Sequence, residues 1–132
     1  MLVLASVALS SPQSNAVAGS LSASQPQSIG IEGAYFRGDA RLEAVTDLRD
    51  SRQFRLILNL KNVSKTKAYW AIHVCLLDAS NNLVGACSYN QGSGENPGKA
   101  IEHQADVFMP DVQAVKRYQL VFYEDSKPIG AR

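Results

Sequence analysis

Residues 53–88 constrain the fold more than any other part of the chain, because they alternate with the period of a strand three times in succession. Phe54, Leu56, Leu58 and Leu60 alternate with Arg55, Ile57, Asn59 and Lys61. A period of two puts one set on a buried face and the other toward solvent, which no helix can do. Asn62-Val63-Ser64-Lys65-Thr66-Lys67 is polar, and its Asn and Ser can bond their own backbone, so it reads as a turn. From Ala68 to Ala79, Trp70, Ile72, Val74 and Leu76 share one face, while Tyr69, Ala71, His73, Cys75 and Leu77 share the other. Both faces are largely apolar. The β-branched and aromatic content favours a central strand covered on two sides over a helix. Ser80-Asn81-Asn82 then reads as a hairpin loop, with Leu83 to Tyr89 as the returning strand. A three-residue loop sets Cys75 opposite Cys87, and the expectation is a Cys75–Cys87 disulfide across the hairpin.

Around this centre the strand signals are shorter. Ile29 to Phe36 reads as a first strand, with Gly30 and Gly33 as weak points or a bulge. Asp39 to Ser51 is charged and ambiguous. Leu42, Val45 and Leu48 fall at helical spacing, and a strand over 41–46 fits equally well. Asn90 to Lys99 holds Gly92, Gly94, Pro97 and Gly98 and reads as a long connection. Ala100 to Met109 is a weaker strand stopped by Pro110, and Val115 to Tyr123 is the last, with Tyr118, Leu120 and Phe122 on one face. Six or seven short strands with frequent turns predict an all-β chain, an antiparallel immunoglobulin-like β-sandwich, with a small barrel as the alternative. The domain is expected over 29–124, with a polar tail at 125–132.

The first charged residue is Glu32. Met1 to Leu9 is apolar, and Asn15-Ala16-Val17-Ala18-Gly19 offers a small-x-small cleavage pattern, so residues 1–18 are expected as a signal peptide cut after Ala18. A basic start is missing, and no cysteine follows that could carry a lipid. Residues 19–28 are rich in Ser, Ala, Gln and Pro and are expected to be a flexible linker. The expected location is periplasmic or secreted.

Several chemistries are poorly supported. A net charge of +1 with no basic stripe gives no reason to expect nucleic acid. No run reaches the ~18 apolar residues of a membrane-spanning helix. The loop at 90–99 misses the phosphate-loop spacing: Gly92 is one residue too far from Gly98, Gly94 too near, and Ala100 stands where Ser or Thr belongs. His73 and His103 fall on different strands. His73 with Cys75 is the sole metal-like pair, against the usual four-ligand requirement. Asp47, Asp50, Asp78 and Asp106 are scattered, with no acid–base pair among them. The expectation is therefore a non-enzyme without cofactor. Asn62-Val63-Ser64 fits a glycosylation sequon.

The runs Leu58-Asn59-Leu60-Lys61-Asn62-Val63-Ser64, Val74-Cys75-Leu76-Leu77-Asp78, Pro97-Gly98-Lys99 and Tyr118-Gln119-Leu120-Val121-Phe122-Tyr123 together resemble the FxLYD-type and YcfL-type immunoglobulin-like domains of bacterial envelope proteins. Val74, Leu77 and Asn82 depart from that pattern, where Phe, Tyr and Gly are usual. The resemblance spans about half the chain and implies a fold and an exported location, with no catalytic residue to carry over.

Two functions follow as expectations. One is an interaction or assembly module whose partner is another envelope or extracellular protein, or a second copy of itself. Its working part would be an open edge at Ile29–Phe36, with Ile29, Ile31, Tyr35 and Phe36 at the contact. The other is a small-ligand or carbohydrate binder using exposed Trp70 and Tyr89 and the 89–99 loop. Most of the aromatics, Tyr69, Tyr118 and Tyr123 among them, are explained as well by core or cross-strand packing.

Overall fold

A computed structural model describes residues 13–45 and 53–130. Two antiparallel four-stranded sheets pack face to face as a β-sandwich. The strands are β1 (Gln13–Ser20), β2 (Gln27–Glu32), β3 (Phe36–Ala44), β4 (Gln53–Asn62), β5 (Ala68–Leu77), β6 (Leu83–Glu95), β7 (Ala100–Phe108) and β8 (Arg117–Asp125). One sheet has the order β1-β8-β5-β6 and the other β2-β3-β4-β7. The all-β sandwich expectation holds, with eight strands among the described residues in place of six or seven.

The alternation in the sequence becomes the core. Leu56, Leu58 and Leu60 of β4 face Trp70, Ile72, Val74 and Leu76 of β5 across the sandwich, joined by Leu120 and Phe122 of β8. Phe36 of β3 meets Phe122 of β8 edge-on at 6.2 Å and so ties the two sheets, while Trp70 stacks over Phe122 at 6.4 Å within its own sheet. The outer face of β5 is less covered than its apolar character suggests. Ala71 is buried there, beside Asn90, whose side chain donates to the Ile129 carbonyl at 2.8 Å. His73 stays exposed.

Several boundaries move. The charged stretch after Phe36 is the interior strand β3, not a helix, and Leu42 enters the core. Leu48, like Asp47 and Asp50, lies outside the described residues. β6 continues to Glu95, which shortens the expected 90–99 loop to a tight turn with Gly98 at φ 81°. Residues 19–28 are not a linker: Gly19 and Ser20 finish β1, Leu21 is 2% exposed in the core, a turn pairs Ser22 with Gln25, and Gln27 opens β2. Of the expected signal segment, residues 1–12 lie outside the described residues. Residues 13–18 lie in β1, paired with β8 from Gln13↔Glu124 to Ala18↔Gln119.

The cysteine register also departs from expectation. The hairpin loop is longer than three residues, with Leu77 opposite Leu83, and Val84 is then an extra residue on β6 before Leu76 meets Gly85. Cys75 therefore lies opposite Ala86 and Cys87 opposite Val74. Directly opposed residues share a face, so this one-residue offset sends the two side chains to opposite faces of the sheet. Both thiols are free. Cys87 packs toward the core, and burial pushes its thiol pKa up.

Candidate interaction edge

β1 and β2 end their respective sheets and are joined by the short turn at residues 21–26, so one side of the sandwich is bounded by two edge strands. β6 and β7 bound the other side. The two sides differ in how they are closed. Between β6 and β7, Tyr89 stacks on His103 with ring centroids 4.0 Å apart, and both lie against Trp70, at 5.3 and 5.8 Å. These rings bridge the sheets. Burial pushes the His103 pKa below its ordinary value of 6.5.

On the β1–β2 side the sandwich is less complete. A cavity of about 190 Å³ opens there, lined by Ile31 and Phe122 at its apolar end and by Asn15, Glu32 and Glu124 among its polar walls. Its floor is an anchor that the sequence does not announce. Glu124 is 4% exposed, and its carboxylate accepts three backbone N–H groups from the β2–β3 loop and the first residue of β3. Ala34 donates to one oxygen at 2.6 Å; Tyr35 and Phe36 donate to the other at 3.0 Å each. Gly33 is required by space, because a Cβ there would run into the Glu124 carboxylate. Buried backbone donors must be satisfied, and this loop has no strand partner to do it.

β1 itself is a plain edge. Its eight residues, QSNAVAGS, carry no charge and no Pro, and they pair with β8 in an unbroken register. Among the described residues no strand pairs with its outer side. Natural edges are usually blunted by Lys, Pro, bulges or inward charges. β1 has none of these.

The two outward faces contrast. The face of the β2-β3-β4-β7 sheet is lined by charges, including Glu32 opposite Arg37 and Glu43 opposite Arg55, with an Arg55–Asp106 ion pair at 3.0 Å and an Arg41–Glu43 pair at 2.6 Å. The face of the other sheet carries Ala16 and Ala18 of β1, Gln119, Val121 and Tyr123 of β8, and His73 and Cys75 of β5. Its strand charges, Arg117 and Asp125, stand at the two ends of β8.

The expected site residues divide accordingly. Ile29, Ile31 and Phe36 point into the core and cannot form a contact surface; Tyr35 is half-buried in the β2–β3 loop. β2 is an edge as expected, but Phe36 starts the interior strand β3. Trp70 is 1% exposed, with its indole N–H donating to Glu95 at 3.3 Å, so it offers no ligand platform; Tyr89, 40% exposed, remains without it. His73 and Cys75 share the outer face of β5, where His73 meets Tyr123 edge-on at 5.6 Å. Among the described residues no three His, Cys, Asp or Glu gather to hold a metal ion, and no helix is long and apolar enough to cross a membrane.

Asp78 organises the β5–β6 turn, accepting from the Asn82 and Ser80 backbones at 2.9 Å each, and these bonds, the Asn82 one foremost, hold its pKa down. The sequon's Asn62 is fully buried. It accepts from Ser64 and donates to the Thr66 and Glu95 carbonyls at 2.9 Å each, tying the β4–β5 turn to β6. Its amide is therefore closed to glycan addition in the folded chain.

No protein-family model matches the chain, and no curated protein does. The FxLYD-type and YcfL-type resemblance accordingly has no family match behind it. Solved structures similar to the chain include a DUF1425 family member from Shewanella sp. pv-4. It is 16% identical over 78% of this chain and 94% of that one, with a TM-score of 0.36. The enzymatically active domain of tailspike protein 4 from Bacteriophage CBA120 is 10% identical over 87% of this chain and 17% of that one, with a TM-score of 0.32. The molecule is defined as an antiparallel β-sandwich by its own strand order and register.

Proposed function

We propose that the protein is an exported, non-catalytic interaction module that works by adding a partner's strand to an edge of its sandwich. The observation that carries this reading is β1, a regular eight-residue edge with none of the features that block strand addition. An extended partner segment would gain backbone hydrogen bonds along β1, and the neighbouring cavity of about 190 Å³ could receive one of its side chains. The edge expected at Ile29–Phe36 contributes through the β2 backbone alone. The ligand-binding alternative is weaker, because burial of Trp70 removes one of its two aromatic residues.

Export belongs to the same reading, with the cleavage point placed before Gln13, since a cut after Ala18 would remove most of β1. The test is capture from an envelope fraction by the wild-type domain and by Ala16→Lys, which places a charge on an exposed β1 position without touching the core. Loss of specific partners from the Ala16→Lys eluate is expected. Identical partner sets from both proteins would overturn the edge mechanism.

A further inference from the structure

We infer that β1 is a self-pairing edge, so that a second copy of this chain is its partner. The inference rests on the edge-pairing reading and adds the identity of the occupant. Two β1 strands related by a two-fold axis normal to the sheet would run antiparallel and join two four-stranded sheets into one of eight, β6-β5-β8-β1 continuing into the partner's β1-β8-β5-β6.

A two-fold interface sets a surface against itself, so any clustered charge on it meets its own kind. β1 is suited to this because it has no charge anywhere from Gln13 to Ser20. Its outward neighbours on β8, Gln119, Val121 and Tyr123, are uncharged too. Opposed residues in an antiparallel pair must share a face, which restricts the dyad to a residue position. With the axis at Ala16, Ala16 faces its own copy and Ser14 faces the copy's Ala18. With the axis at Val17, Ala16 faces the copy's Ala18 and Val17 its own copy. Both registers bring small, uncharged side chains together.

The other three edges are worse suited. β7 carries Glu102 and Asp106. β6 breaks register twice, and the C-terminal segment is fastened to it where Asn90 bonds Ile129. β2 has six residues, one of them Gly30, and ends on Glu32.

The test uses the full chain in sedimentation velocity over a wide concentration range. It also uses a short thiol–thiol crosslinker on Ala16→Cys and, as a control, Glu102→Cys, both in a Cys75→Ser/Cys87→Ser background. A reversible dimer is expected, weakened at least tenfold by Ala16→Lys and likewise by Ala18→Lys, each variant being checked for native circular dichroism. Crosslinked dimer should form at position 16 and not at position 102. A chain that is monomeric at every concentration, or a dimer untouched by both lysine variants, overturns the inference. A monomer that still captures another protein in an Ala16→Lys-sensitive way refutes self-pairing alone; loss of both behaviours refutes the edge reading as well.

Discussion

Replacing Glu124 by Ala should be among the most damaging single changes in this protein, although the residue stands near the C-terminal end of the last strand. The carboxylate accepts three backbone N–H bonds, from Ala34, Tyr35 and Phe36. A hydrogen bond to a charged group contributes about 1.5–3 kcal/mol, and a buried donor left unpaired costs about 1–3 kcal/mol. Three such bonds do not add in full, because the adjoining cavity of about 190 Å³ is large enough to admit water to the freed N–H groups. The expected loss is therefore about 3–5 kcal/mol for Glu124→Ala. Glu124→Gln can keep its carbonyl on Tyr35 and Phe36 but turns an NH₂ toward the Ala34 N–H, so it should lose about 1–3 kcal/mol. Urea unfolding followed by tryptophan fluorescence measures both, since Trp70 is in the core. The two glycines beside the loop give an internal control. Gly33→Ala should resemble the Glu124 variants, because its Cβ collides with the carboxylate. Gly30→Ala has nothing within 4 Å of the added Cβ and should shift stability by less than about 0.5 kcal/mol. Stability within about 1 kcal/mol of wild type for Glu124→Ala, or equal losses for the Ala and Gln variants, would refute the anchor argument.

Four further outcomes are expected. His103 binds its proton less readily when folded than its ordinary 6.5, so the unfolded chain protonates first as pH falls. Its contribution is present above that value and lost on acidification through it; His103→Phe, which keeps a ring on Tyr89, should flatten the stability–pH curve there, and an unchanged slope would count against desolvation as the cause. Intact mass without reductant should show both thiols free, with Cys87 the slower to alkylate; a chain two hydrogens lighter would mean that the Val84 bulge does not hold the register. Asn62→Ala should cost about 2–4 kcal/mol in chemical denaturation, because it removes a buried amide that serves two carbonyls and Ser64. If the chain is exported as proposed, N-terminal sequencing of the mature protein should find a start at or before Gln13; a start at Gly19 would remove most of β1 and count against the edge reading.

The strands legible in the sequence are those whose side chains carry a strong local pattern. β4, β5 and β8 each alternate large apolar residues with smaller or polar ones, and burial of one face follows from the strand period alone. The sandwich class came from the same signal, repeated between turns. β1 gave no such signal. Val17 is its largest apolar residue, and the strand exists because β8, about a hundred residues later, offers it a ladder. The cysteine register was equally out of reach: one extra residue at Val84, after a loop held by Asp78, decides which face each thiol takes. Glu124 carries no local sign of its anchoring role, because the three N–H groups that hold it lie at the β2–β3 junction, distant in sequence. Side-chain periodicity is local and survives in the sequence. Backbone hydrogen-bond partners, edge status and bulges are non-local, and only the folded chain brings their halves together.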